Sequence, residues 1–146
     1  MNIEIKIDEK IKENKIIIQV NEITDELNNI IEILKSSDKE KIKVYLEEEV
    51  YFIDESQIET VYCNEGKVFI RVDDKTYISR KRLYELEGIL NKKDFIRIAK
   101  SEIINLNKVK SINTNLVGTI VISFYSGNKT YSSRRYIGKI KEVLDI

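Results

Sequence analysis

The residues of this sequence best suited to chemistry are cationic and hydroxylic, and they fall at junctions between predicted elements. In Phe95-Ile96-Arg97-Ile98-Ala99-Lys100-Ser101, strand alternation puts Phe95, Arg97 and Ala99 on one side and leaves Lys100 and Ser101 at or just beyond the strand end. In Tyr131-Ser132-Ser133-Arg134-Arg135-Tyr136, two hydroxyls precede a predicted helix that opens with two arginines. A helix N-terminus offers free N–H groups and a positive dipole end, which suits a phosphate. The same dipole disfavours a cation there by roughly 0.3–1 kcal/mol. Arginines placed against it point to a role outside the helix, and a guanidinium also makes bidentate bonds to guanine O6 and N7. Surface arginines without a partner are the plain alternative.

Other chemistries lack their parts. The chain has no histidine, which removes Ser-His-Asp and Cys-His nucleophile systems and His-ligated zinc or haem. Its one cysteine, Cys63, excludes an intramolecular disulfide, a CxxC pair and a cysteine zinc site. Cys63 ends a predicted strand and reads as a small apolar core residue. Glu47-Glu48-Glu49 reads as a solvated turn, and Asp73-Asp74 as a hairpin turn rather than a metal site. Neither GxxxxGK[ST] nor GxGxxG occurs. The expectation is a non-enzyme with no cofactor and no metal.

Composition sets the frame for these residues. With 146 residues, 42% hydrophobic and 34% charged, the chain has the size of one ordinary domain or of one domain plus a small appendage. No apolar stretch approaches the length of a membrane span, and MNIEIKIDEK alternates apolar and charged residues unlike a signal peptide. A cytoplasmic protein with no membrane insertion is expected, and heavy use of Ile, Lys, Asn and Glu fits an AT-rich bacterial genome. The net charge of zero conceals an asymmetry. Residues 1–38 carry net −4, residues 39–96 net −2, and residues 97–146, with nine basic and three acidic groups, net +6. A cationic last third suggests a polyanionic partner on one face.

The elements that must position these residues divide into two segments. Ile3, Ile5 and Ile7 alternate with polar residues, and Ile16–Val20 form a second apolar run, which predicts two strands joined by a polar loop. Ile23, Leu27, Ile30, Ile31 and Leu34 recur at helical spacing after Asn21 or Thr24 as N-cap. Such a unit is too small to bury a core alone. After a linker at residues 36–40, short strands are predicted at 42–46, 50–53, 58–63, 67–72, 76–79, 95–98, 103–105, 109–112, 116–124 and 129–132. Helices are predicted to begin near Ser79 and Ser133. Many short strands at close spacing with a few short helices suggest a β-rich α+β fold, a sandwich or stacked sheets, at 41–146, preceded by a strand–strand–helix extension at 1–40.

Three motifs, in order, resemble the LytTR-type DNA-binding domain of bacterial transcription regulators. FIRIAKSEIINLNKVKSI (Phe95–Ile112) and YSSRRYIGKIKEVL (Tyr131–Leu144) carry most of the likeness. Ile78–Glu87 is similar to the family's R-x-x-L-x-x-L-E helix, and the strands from Val50 to Val72 fit as well. The sequence departs from the family at Ala99, where histidine is frequent, and at Tyr131-Ser132, where Pro-Val is frequent. The resemblance implies an elongated stack of small, mostly antiparallel sheets with short helices that reads double-stranded DNA through loops, without a recognition helix in the groove. It implies that the Asn64–Lys67 turn, with Gly66 at its centre, enters one groove. Lys100, beside Ser101, would contact DNA between grooves, and Arg135 would read bases in the next groove with Ser133 and Arg134 at phosphates. Two copies on promoter repeats, forming a homodimer on DNA, are the implied assembly.

The family usually carries a response-regulator receiver domain. Only about 40 residues precede the domain here, so the chain resembles stand-alone members. The extension could dimerise, bind a regulatory protein or complete the domain's packing. The alternative from another class is a protein–protein module whose basic C-terminal face docks an acidic partner.

Overall fold

Alternating β-branched residues punctuated by tight turns dominate residues 40–146, and they fold accordingly. The computed structural model describes residues 2–36, 40–114 and 118–146, and the chain divides into two units, Met1–Lys39 and Glu40–Ile146.

In the first unit, α1 (Asp25–Ser36) starts with two acids. Thr24 is its N-cap, its Oγ1 accepting from the Leu27 N–H at 3.1 Å. The strands expected at 3–7 and 16–20 do not form: residues 2–20 contain no strand ladder. A lone two-stranded hairpin is marginal in water, and the turn between these stretches, Asp8–Ile11, closed by the Ile11 N–H donating to the Asp8 carbonyl at 3.2 Å, is not followed by strand pairing. Of the linker expected at 36–40, residues 37–39 lie outside the described residues.

The second unit contains β1 (Ile42–Leu46), β2 (Glu49–Ile53), β3 (Ile58–Asn64), β4 (Lys67–Val72), β5 (Lys75–Ser79), α2 (Leu83–Ile89), β6 (Phe95–Ala99), β7 (Glu102–Asn105), β8 (Val109–Asn113), β9 (Val121–Phe124), β10 (Lys129–Tyr131) and α3 (Ile137–Leu144). Among the described residues these strands make an antiparallel seven-stranded sheet, ordered β2-β1-β5-β4-β3-β7-β6, and a three-stranded sheet, β10-β9-β8. The larger sheet is itself two smaller ones joined by a single registered pair, Tyr45 with Ile78. Of the strand expected over 116–124, β9 occupies only Val121–Phe124, and residues 115–117 lie outside the described residues.

Alternation gives the larger sheet two apolar faces. Val44, Val61, Ile70, Phe95 and Ile103 pack with Leu83 and Leu86 of α2. On the other face Ile96, Ile98 and Ile104 meet Ile122 and Phe124 of the small sheet and Ile140 of α3. Strand neighbours therefore point into different cores, as Ile103 and Ile104 do.

Two carboxylates tie the sheets together. Glu59 is 4% exposed; at a register irregularity in β3 it accepts from Ser126 Oγ and from Asn128 Nδ2 and lies 3.9 Å from Arg71. Glu102 accepts from Thr60 in β3 at 2.9 Å and from Thr130 in β10 at 2.6 Å. A buried carboxylate is tolerated when its oxygens are so satisfied.

Candidate nucleic-acid interface

Strand order decides which turns become neighbours. Because β4, β3, β7 and β6 are adjacent and antiparallel, the β3–β4 and β6–β7 turns emerge at the same end of the sheet. The Ser101 carbonyl accepts the Cys63 N–H at 2.8 Å, which joins the two turns. The start of the Ser133–Arg135 segment is joined in the same way, the Ser133 N–H donating to the Ile98 carbonyl at 2.9 Å. All three predicted regions therefore lie side by side along one edge, although about 70 residues of sequence separate the first from the last.

The first turn, Asn64–Lys67, is exposed throughout. Glu65 and Gly66 both take positive φ, 51° and 76°, as a two-residue hairpin with the twist of its strands requires. A left-handed φ at Gly66 favours glycine.

The second turn projects Lys100 and Ser101 into solvent, and Arg97 braces it from beneath. Its Nε donates to the Ala99 carbonyl at 2.9 Å, one Nη donates to the Lys100 carbonyl, and the other pairs with Glu87 of α2. The Arg97 side chain is 16% exposed. Sequence alternation placed Arg97 on the Phe95 face; the structure shows a guanidinium committed to shaping the turn that carries Lys100.

The third region differs from expectation. Arg134–Tyr136 form a single 3-10 turn, and the α-helix begins at Ile137 rather than near Ser133. The arginines therefore precede the helix instead of opening it. Ser133 makes no side-chain cap. Ser132 is the hydroxyl used structurally: it is buried, its Oγ accepts the Ile120 N–H at 3.0 Å, and its carbonyl accepts from Thr119 Oγ1 at 2.9 Å. Arg134 lies against Gly118, where an added Cβ at φ +74° would sit 2.7 Å from Nε. Arg135 is exposed.

One cationic cluster at this edge was not singled out as a site from the sequence. β4 pairs with β5 so that Val68 faces Ser79, which carries Arg80, Lys81 and Arg82 to the end where Lys67 stands. Gly66, Lys67, Ser79, Arg80, Lys81 and Arg82 line a shallow groove of about 260 Å³. The helix expected from Ser79 starts at Leu83 because Ser79 completes β5 and its Oγ accepts the Lys81 N–H at 3.1 Å. Arg80 stacks over Tyr45 at 4.1 Å. Three consecutive basic residues were the available signal.

The opposite end of the same sheet carries four acids in two turns, with Lys75, Lys92 and Lys93 at the same end. The β1–β2 turn holds Glu47 and Glu48, and the β4–β5 turn holds Asp73 and Asp74. The phenol of Tyr51 donates to Glu49 Oε2 at 2.8 Å, and that hydrogen bond, with the charge of Glu49, raises its pKa above the ordinary tyrosine value. Among the described residues no acidic cluster has the makings of a metal site, and no helix is long and apolar enough to cross a membrane.

Comparison with known proteins agrees with this architecture. The family described as LytTr DNA-binding domain matches residues 48–145. An uncharacterized HTH-type transcriptional regulator of Staphylococcus aureus strain MSSA476 is 33% identical over 147 residues, covering 100% of this chain and 99% of that one. Its counterpart in strain NCTC 8325 is 33% identical over 135 residues, covering 92% and 91%. The LytTr DNA-binding domain of a Bacillus cereus protein, described as a methyl-accepting/DNA response regulator, superposes with TM-score 0.71 at 22% identity, covering 74% of this chain and 99% of that one. Although the Staphylococcus aureus relatives are named HTH-type regulators, α2 and α3 of this chain are separated by five strands and form no helix-turn-helix pair. On the family match and these relatives, the chain belongs to the LytTR DNA-binding domain family.

Proposed function

We propose that the chain is a sequence-specific transcription regulator that binds double-stranded DNA with the basic end of its large sheet, reading adjacent major grooves through turns. The observation that carries this reading is the adjacency of the Asn64–Lys67, Lys100–Ser101 and Ser133–Arg135 segments, hydrogen-bonded into one edge. Two neighbouring hairpin tips stand roughly 10 Å apart, two strand spacings, so both meet the same face of a duplex. Arg135 reads base edges, Lys100 spans the backbone between grooves, and Asn64, Gly66 and Lys67 approach the next groove. Ser133 and Arg134 neutralise or hydrogen-bond phosphates. Phosphate contacts set affinity and register, and base contacts set specificity. Two copies occupy repeated half-sites at a promoter.

A gel shift against DNA from the protein's own upstream region, with unlabelled random DNA as competitor, tests it. Retention of the complex against a large excess of random DNA is expected. Equal competition by random DNA contradicts sequence-specific reading, and no shift at all favours an acidic protein as the partner of this face.

A further inference from the structure

The first unit presents more apolar surface than it buries. Every residue from 2 to 26 is exposed, and Leu27 is the one buried residue among those described in this unit. Ile3, Ile5, Ile7, Ile16 and Ile17 are 86%, 82%, 92%, 70% and 69% exposed. Together these five present several hundred Å² of hydrocarbon, comparable with the ~800 Å² each partner contributes to a standard interface and at the limit of what monomers leave uncovered. Ile3, Ile16, Ile18 and Val20 share an open groove of about 480 Å³ with the Leu27 and Ile30 face of α1. This groove has an apolar floor without a lid.

The sequence of the first stretch specifies what fits there. We propose that residues 2–8 pair antiparallel with the same residues of a second copy, about a two-fold axis through Ile5. In that register Ile5 faces Ile5 once on the axis, and Ile3 faces Ile7 and Glu4 faces Lys6 twice each. Both faces match: the isoleucines share one side, and the other side carries two cross-strand ion pairs. Within one copy Glu4 and Lys6 already lie side by side, 3.8 Å apart and well exposed, so pairing two copies makes an alternating quartet of charges. A one-residue slip puts isoleucine opposite charge along the whole strand. Re-centring on Ile7 sets Ile5 against Glu9. Residues 16–20 of each copy extend this pair outward, giving four strands with an α1 on each half of the apolar face. That exceeds the minimum for a stable sheet, which a single copy does not reach.

The pairing is measured without DNA and stands or falls separately from the proposed DNA reading. Sedimentation equilibrium of the full chain across a concentration series should show reversible association to twice 17.2 kDa. Ile5→Asp, at an exposed position on the axis, should abolish the dimer while circular dichroism and thermal unfolding of the strand-rich unit stay unchanged. Glu4→Lys and Lys6→Glu should each weaken association roughly tenfold, since like charges then face each other twice. The double variant, with the charges exchanged, should recover most of the loss. A chain that stays monomeric at every concentration overturns the proposal. So does a dimer indifferent to Ile5→Asp, or one whose single charge reversals have no effect or are not rescued by the exchange.

Discussion

The two ends of the seven-stranded sheet are built from the same strands and differ in what their turns carry. One end gathers Lys67, Arg80, Lys81, Arg82 and Lys100, with Arg134 and Arg135 alongside. The other carries Glu47, Glu48, Asp73 and Asp74 in its turns, partly offset by Lys75, Lys92 and Lys93. Antiparallel order makes this possible: every second connection returns to the same end, so a turn's charge is chosen independently of the strands it joins. A chain with no net charge thus keeps an internal polarity between its sheet ends. Net charge was a poor guide to its partner, whereas the placement of turns is informative.

If DNA lies on the basic end, the two ends must respond unequally to substitution. The largest effect is expected at Arg135. Arg135→Ala should cost about 1–3 kcal/mol of discrimination between cognate and altered sites, read as a fall in specific affinity of about five- to 150-fold by fluorescence anisotropy. Equal binding by the variant removes Arg135 from the reading role.

Next comes Arg97, which need not touch DNA. Without it the Lys100 carbonyl and Glu87 lose their partner. Arg97→Ala should weaken DNA binding several-fold and lower the unfolding temperature by a few degrees, on the order of 1 kcal/mol. An Arg97→Lys variant that restores stability but not affinity would isolate the bracing of the turn from the ion pair, because lysine lacks the guanidinium fork.

Lys67→Ala is expected to act more weakly and uniformly across sequences. It should reduce the slope of log affinity against log salt by about one. An unchanged slope places Lys67 off the phosphates. The smallest effect belongs to the acidic end, where Glu48→Lys should leave thermal stability within about 0.5 kcal/mol and specific affinity within twofold. A large gain in specific affinity there would mean that the duplex also approaches the acidic end.

Local features of this fold were legible in the residues, and long-range ones were not. The strands from Ile42 to Val72 and the turns at Glu65-Gly66 and Asp73-Asp74 follow from alternation and turn chemistry. The isoleucines at 3–7 also alternate, yet alternation only makes a strand when a neighbour supplies the ladder, and residues 2–20 have none within the unit. The start of α2 was displaced because a serine hydroxyl closes a turn before the helix. At the candidate interface, Lys100 and Arg135 stood out from local context. Asn64–Lys67 reads from its own residues only as a turn, and its role follows from the family resemblance. That Ser101 meets Cys63 and Ser133 meets Ile98 follows from strand order, which no local pattern encodes. Arg97 carried no signal of its bracing role, since its partners include a helix residue ten positions away.

The polarity of the sheet is tested most directly by titrating the labelled protein with promoter DNA and following backbone amides by NMR. Binding at the basic end predicts that the shifted amides centre on Asn64–Lys67, Arg80–Arg82, Lys100–Ser101 and Ser133–Arg135, while those of Glu47–Glu49 and Asp73–Lys75 stay in place. Shifts centred on the Glu47–Glu49 and Asp73–Lys75 turns, or scattered without a common edge, would contradict it.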